Sequence, residues 1–474
     1  MRHPPRRLVL LAAALAGLSA CVHVPIVNEA QLLQEAGGAQ QIRVYGTRGP
    51  LSARQARKVL ARIALQAPNA NVLDLHLAVD QIIADSPLYA GNSVQVLQDG
   101  AQTFPAMFRA IAGAKRFIDL EYYIFQDVRS GGRDLADLLA QKSRSGVRVR
   151  IIYDAVGSMG TPAEFYTKLR DAGVKLVQYN PINPLRGAFT HYSPNDRDHR
   201  KILVADDTLA IVGGVNLSTD YESAPSLTHG GIGSKGRKQQ PPPTSHPVWH
   251  DTDLEIRGPV VPQLDQLFRE HWREQNGPPL TPEQPPAMHP QDKQIVRVIG
   301  SSPTKLARRY YATVLTAIRT SQTSVWMTAA YFVPTHQELV ALRSASRRGV
   351  DVRIILPSHT DIPEILPVQR SYYAGLLRAG IKIYERRTGI VHSKTMVVDG
   401  VWSLVGSSNF DQRSVLFNDE VDVVVLGSKT ADQLRAGIEA DMRHGRLIDW
   451  QFVHRQGTME HVKAWFWRLW QRLL

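Results

Sequence analysis

Two hydrophobic periods alternate along this chain, and the order in which they occur is repeated. Val94 to Leu97 is short and apolar, and a stretch with helical spacing follows from Phe104 to Ala114. Phe117 to Phe125 reads as a strand, residues 134–143 as a helix, and Gly146 to Tyr153 as a second strand. The later half repeats the sequence of elements, with a helix over 308–318, a strand over 324–333, a helix over 338–346 and a strand over 349–356. Apolar strands alternating with amphipathic helices predict α/β layers around a parallel or mixed sheet, and the recurrence predicts two similar domains.

Ahead of the repeat, Ser52 is placed to cap a helix through Ala53 to Leu60, and a second helical pattern covers Val72 to Ala84. Ser226 to Pro247 is rich in Gly, Lys, Gln and Pro and reads as a surface insertion, whereas the proline-bearing stretch from Gly277 to Gln294 falls between the halves. The organisation expected is a leader over 1–20, an N-terminal helical segment over 21–90, a first domain over 91–276, a linker over 277–294 and a second domain over 295–474.

Charge and cysteine usage narrow the setting. Lys plus Arg number 56 against 43 Asp plus Glu, a net charge of +13 that suits an anionic partner, nucleic acid or an acidic lipid surface. The one cysteine, Cys21, follows a basic start, an apolar run from Leu8 to Leu18 and the small residues Ser19 and Ala20. That run is short for a bilayer span, which needs about 20 apolar residues, and reads as a secretory leader. Leu18-Ser-Ala-Cys21 is similar to a bacterial lipobox, so export with a lipid on Cys21 and retention in the cell envelope are expected, the choice of membrane staying open. An intramolecular disulfide is excluded. At the other end, Trp465, Phe466, Trp467, Leu469 and Trp470 recur at helical spacing among Lys463, Arg468 and Arg472. Such a helix suits a membrane interface, or a terminal helix packed on the body.

The chemistry lies in a paired pattern. His199-Arg-Lys201 with Asp206, and His392-Ser-Lys394 with Asp399, both read H-x-K-x4-D and are displaced by one constant interval. A chain this long should show on the order of 0.05 such matches by chance. Downstream, Gly213-Gly-Val-Asn216 aligns with Gly406-Ser-Ser-Asn409. Side chains alternate faces along a strand, so each histidine shares a face with its lysine, while Asp206 and Asp399 have the other parity and close turns. Both aspartates read as structural. A neutral imidazole can attack phosphorus while a protonated one across from it gives a proton to the departing oxygen. Lysines and asparagine amides would offset charge on the non-bridging oxygens, and the scheme draws on no metal or other cofactor. His191, His229, His246 and His250 lack a spacing partner and read as surface or loop residues.

These residues, with Trp249-His-Asp-Thr252, Asp411, Arg413-Ser414 and Asn418-Asp-Glu420, resemble the phospholipase D superfamily and within it bacterial cardiolipin synthases, over roughly residues 90–474. The resemblance implies two α/β/α domains whose mixed sheets pack about a pseudo-twofold axis. It implies His199 as nucleophile and His392 as general acid, then base. Lys201, Lys394, Asn216 and Asn409, with Ser407, would hold phosphate, and Asp251 and Glu420 would orient the imidazoles. The implied reaction passes a phosphatidyl group from phosphatidylglycerol through a phosphohistidine to a second phosphatidylglycerol. Water in place of that lipid would give phospholipase D hydrolysis. A nuclease ranks below both because no aromatic stacking platform stands among the basic residues. A non-catalytic lipid-binding lipoprotein would have no use for a matched nucleophile and acid. The partners expected are anionic phospholipid and a membrane surface, with no obligate protein partner.

Overall fold

The computed structural model describes residues 24–27, 42–66, 77, 86–181, 193, 195–222, 248–280, 289–303 and 309–471. The leader with Cys21, most of Val72 to Ala84, the 226–247 insertion and His191, His229 and His246 lie outside them.

The first lobe is built on β1 (Leu88–Gln98), β2 (Phe117–Tyr122), β3 (Arg148–Asp154), β4 (Lys175–Tyr179), β5 (Lys201–Ala205), β6 (Leu209–Gly213) and β7 (Thr252–Arg257). They lie side by side in the order β4–β3–β2–β5–β6–β7–β1, parallel among β2, β3 and β4 and antiparallel elsewhere. The second lobe uses β8 (Gln294–Ser301), β9 (Ser324–Thr328), β10 (Asp351–Pro357), β11 (Lys382–Arg386), β12 (Thr395–Val398), β13 (Trp402–Gly406) and β14 (Asn418–Leu426). Its order, β11–β10–β9–β12–β13–β14–β8, is that of the first lobe with the same parallel and antiparallel pairs. β1 then pairs antiparallel with β8, joining Tyr89 to Val296 and Asn92 to Gln294. The two mixed sheets meet edge to edge, each a repeat of the other.

Helices cover the sheets because strands such as β5 and β14 are buried along their whole length, which requires apolar cover on both faces. In the first lobe α2 (Asp99–Gly113), α3 (Leu135–Arg144) and α4 (Ala163–Asp171) enclose one core with Leu120, Ile151 and Leu203. In the second, α6 (Arg309–Thr320), α7 (His336–Arg347) and α8 (Ile365–Ser371) enclose another with Met327, Ile354 and Met396. A third core runs between the lobes: Ile202, Val204 and Leu254 join Val397, Val405 and Val423, closed by α5 (Val261–Glu274) and α9 (Ser428–His444). Burying a side chain of this size contributes roughly 1.5–3 kcal/mol, so the shared core makes the two lobes one body.

Several boundaries differ from the sequence reading. α1 (Ala53–Ala64) is longer than Ala53 to Leu60 and starts at a capping box in which Ser52 and Gln55 satisfy each other's backbone N–H groups. The N-terminal segment is not wholly helical: Val44–Gly46 forms a strand parallel to the start of β1. The first lobe begins at Leu88, so the expected boundary at residue 91 falls inside β1. Gln294, at the end of the expected linker, opens β8. The strand expected over 324–333 divides into β9 and a two-residue strand, Phe332–Val333, paired with Phe410–Asp411. The C-terminal pattern becomes α10 (Thr458–Arg468), which turns Ala464 onto the body while Trp465 is 67% and Leu469 65% exposed. Among the described residues no helix is long and apolar enough to cross a membrane.

Candidate active site

Each H-x-K motif enters the interlobe seam as an extended segment leading into a buried strand. Ahead of β5, Arg197–Asp198 pairs in parallel with Asn418–Asp419 of the other lobe, and the His199 N–H donates to the Asp419 carbonyl at 2.9 Å. Ahead of β12, Ile390–Val391 pairs in parallel with Trp249–His250, and the His392 N–H donates to the His250 carbonyl at 2.8 Å. Each histidine is thus held by backbone of the opposite lobe.

Their carboxylates are exchanged in the same way. His199 Nδ1 lies 3.1 and 2.9 Å from Oε1 and Oε2 of Glu420, a second-lobe residue. His392 Nδ1 lies 2.6 Å from Oδ2 of Asp251, a first-lobe residue. All four are buried. Burial alone would raise Glu420, but the His199 imidazole and the Lys201 ammonium bring its pKa below the ordinary carboxylate value. Asp251 is lowered likewise, with Lys394 and His392 overcoming its burial. Both acids therefore stay charged and hold Nδ1–H of the ring, leaving Nε2 for chemistry.

The imidazoles themselves are kept neutral. Burial, with help from Lys201 and Lys394, brings His199 down to about 4 against the pull of Glu420. Burial and Lys394 also lower His392. Lys201, a first-lobe residue, acts on His392, and Lys394, a second-lobe residue, acts on His199; the four groups share one electrostatic site. Burial lowers the lysines too, Lys201 to about 7 and Lys394 to about 8. Lys201 Nζ donates to the His199 carbonyl at 2.6 Å, and Lys394 Nζ to that of His392, so each ammonium folds back along its own motif.

Asn216 and Asn409 are both buried beside the motifs. The Asn216 amide oxygen accepts from the Ile124 N–H at 3.2 Å, which directs its NH2 group elsewhere, while Asn409 Oδ1 has no hydrogen-bond partner among the described residues. Ser407, expected at the phosphate, is placed otherwise: its hydroxyl donates to Glu420 Oε2 at 2.5 Å and accepts from the Val421 N–H at 3.0 Å. The one O–H of Ser407 is thus given to the carboxylate and not to the phosphate. Asp206 accepts from the N–H groups of Lys115, Arg116 and Phe117, and Asp399 from those of Gln322, Thr323 and Ser324. Each tethers its hairpin turn to the chain entering β2 or β9, away from the imidazoles.

His250 is corrected: it is buried, with Nδ1 2.7 Å from Asp99 and Nε2 3.1 Å from Asp441. Burial would lower its pKa, but the two acids raise it to about 10, making a fixed imidazolium between the lobes. A periodicity of one residue type could not reveal it, since its partners are distant in sequence. Arg200, the middle residue of the first motif, was also missed. Its parity is opposite to His199 and Lys201, and it points into the seam, 3.3 Å from Glu121 and 3.4 Å from Asp419. Strand alternation carried that signal.

Among the described residues, Glu121, Asp198 and His271 bring one ligand-type atom each within 4.8 Å of one another. The cluster already holds a cation of its own, since the Arg200 guanidinium lies 3.3 Å from Glu121, whose carboxylate also meets His271 Nδ1 at 2.7 Å.

Comparison with known proteins is consistent with this geometry. Residues 107–224 and 314–442 match the family described as "Cardiolipin synthase, PLD-like domain". The chain is 34% identical over 390 residues to the cardiolipin synthase of Geobacillus sp. (strain WCH70), covering 81% of this chain and 72% of that protein. It is 33% identical over 358 residues to cardiolipin synthase A of Pseudomonas aeruginosa (strain LESB58), covering 75% and 68%. Phosphatidylserine synthase of Haemophilus influenzae Rd KW20 superposes with a TM-score of 0.61 at 12% identity, over 83% of this chain and 99% of that one, a likeness of fold.

Proposed function

The chain belongs to the cardiolipin synthase family of phospholipase D-like proteins, and from that premise we propose that His199 and His392 join two phosphatidylglycerol molecules into cardiolipin. The enzyme is a phospholipase D-type phosphatidyltransferase. His199 Nε2 attacks the donor phosphorus, the bond from phosphorus to the glycerol headgroup oxygen breaks, and His392 Nε2 gives that oxygen its proton. The glycerol hydroxyl of the second phosphatidylglycerol then loses its proton to His392 as it attacks, and the P–N bond breaks. Neutral His199 suits the first step. The anionic diester arriving beside His392 offsets the repulsion of the lysines and favours the imidazolium that the leaving group needs. Lys201, Lys394, Asn216 and Asn409 balance the charge of the non-bridging oxygens.

The observation that carries this reading is the exchange of carboxylates, since Glu420 serving His199 and Asp251 serving His392 ties both rings to one seam. Purified protein incubated with phosphatidylglycerol vesicles should release cardiolipin and glycerol in equal amounts, and His199→Ala should abolish both. Phosphatidic acid as the main product would instead establish hydrolysis.

Lipid attachment at Cys21 and a membrane-facing α10 complete the reading. Supporting it, α10 and the turn after it expose Met459, Val462, Trp465, Phe466 and Leu469, beside the basic Lys463 and Arg468. Aromatic and aliphatic side chains among cations suit the headgroup boundary of an anionic bilayer. Replacing Trp465, Phe466 and Leu469 by serine should reduce sedimentation of the delipidated enzyme with phosphatidylglycerol vesicles about tenfold or more. Labelled palmitate should enter the wild type in cells and not Cys21→Ser.

A further inference from the structure

The two orienting carboxylates occupy equivalent places in the repeat but are supported by different groups. Glu420 receives Ser407 Oγ at 2.5 Å and Asn418 Nδ2 at 3.0 Å in addition to the His199 ring. The first-lobe counterpart of Ser407 is Gly214, and a Cβ there would overlap Asp251 Oδ1. No side chain can grow from that position to serve Asp251. Tyr221 reaches the same place from another element. It ends the short helix Thr219–Tyr221, is 1% exposed, and sets its hydroxyl 3.0 Å from His392 Nδ1 and 3.4 Å from Asp251 Oδ2. Its ring lies 5.3 Å from that of Trp249, which in turn lies 4.9 Å from the His392 ring. A second glycine makes room for its backbone, because a Cβ on Gly100 would overlap the Tyr221 carbonyl.

We propose that Tyr221 is a positioning residue for His392, its hydroxyl donating to Asp251 in the role that Ser407 fills toward Glu420. The inference rests on the reading of His392 as acid and base. The phenol shares the negative charge that Asp251 directs at the ring and fixes the plane in which Nδ1–H points at Oδ2. The other charged groups facing His392 are Lys394 on its own motif and Lys201 across the seam, with Asp361 behind Tyr331, whose ring stands 6.1 Å from the imidazole. These are untouched by replacing Tyr221, so a change in the titration of His392 in that variant is attributable to the phenol.

Donation to the carboxylate weakens its pull on the imidazolium proton. Removing it should therefore let His392 hold its proton to higher pH. Tyr221→Phe keeps the ring and its contact with Trp249 and loses only the hydroxyl. With phosphatidylglycerol vesicles, kcat should fall about tenfold with KM within twofold, and the basic limb of kcat/KM against pH should move upward. A difluorotyrosine placed at position 221 donates more strongly and should move that limb downward, an arm that holds even if the phenylalanine variant unfolds. An unmoved limb in a folded variant, or movement in the opposite sense in either, overturns the proposal. Ser407→Ala serves as the comparator, since its effect should fall on the acidic limb, through His199. His392→Ala separates this from the parent reading: full activity in that variant would sink the acid–base assignment, whereas its loss beside an unchanged Tyr221→Phe would sink the role of Tyr221 alone.

Discussion

The charge state of a few buried residues sets the working pH of this site. His199 is held at about 4 against an ordinary 6.5, first by burial and then by the two lysines. Its folded-state value is depressed, so its contribution to stability is complete above about 6.5 and is lost as the pH falls through about 4. The nucleophile stays neutral over the same range. Lys201 and Lys394 lose their protons as the pH rises through about 7 and about 8, and with them goes attraction for a phosphodiester. A plot of kcat/KM against pH should therefore have its acidic limb near 4, set by His199, and a basic limb set by deprotonation of His392, with a further fall between 7 and 8 as the lysines lose their charge. An acidic limb at 6.5 would mean that water reaches His199 freely. At this scale the H-x-K pairs stood out in the sequence because two copies share one spacing. His250 and Tyr221 did not, because their partners are set by cross-lobe contacts that no local pattern encodes.

Elements were legible where their reason is local. β3 and β10, with their alternation of Val, Ile and Arg, and the helices before them lie within a few residues of the reading from hydrophobic period. α7 starts at Thr335, whose hydroxyl and the Glu338 carboxylate cap each other's backbone N–H groups. The misses have non-local causes. Val44–Gly46 is only three residues long and is a strand because β1 lies beside it. The run after β9 stops being strand over residues 329–331, where the Tyr331 ring stands 6.1 Å from that of His392. Turn chemistry has a measurable consequence. Asp399 and Gly400 both have positive φ, as do Asp206 and Asp207, giving the tight reversals before β13 and β6. The Asp399 carboxylate also accepts from three consecutive backbone N–H groups and the Thr323 hydroxyl. Bonds to a charged group contribute about 1.5–3 kcal/mol each, less than additively, so Asp399→Ala should lower unfolding free energy by ~3 kcal/mol in denaturant titration. Asp399→Asn, which keeps an acceptor and tolerates positive φ, should cost about half as much.

For the whole molecule, duplication does more than double a core. The β1–β8 joint and the shared apolar layer set the two lobes so that each lends its carboxylate to the other's histidine. The sequence supplied both acids but not this exchange, because a lobe read alone offers Asp251 as a neighbour for His199 as readily as for His392. The exchange separates the two halves of the reaction. A phosphatidyl diester of p-nitrophenol has a leaving group that departs without a proton, so forming the phosphohistidine from it needs His199 and Glu420 but not a protonated His392. Asp251→Asn should keep a rapid burst of nitrophenol from this substrate, about one per active site, and then turn over ~10²-fold slowly, because the acceptor alcohol still requires His392 as base. Glu420→Gln should lose the burst itself. If the two variants behaved in reverse, the carboxylates would be serving the histidines of their own lobes and the crossed wiring would fail; if neither burst changed, proton transfer through these rings would not be what the pair of motifs provides.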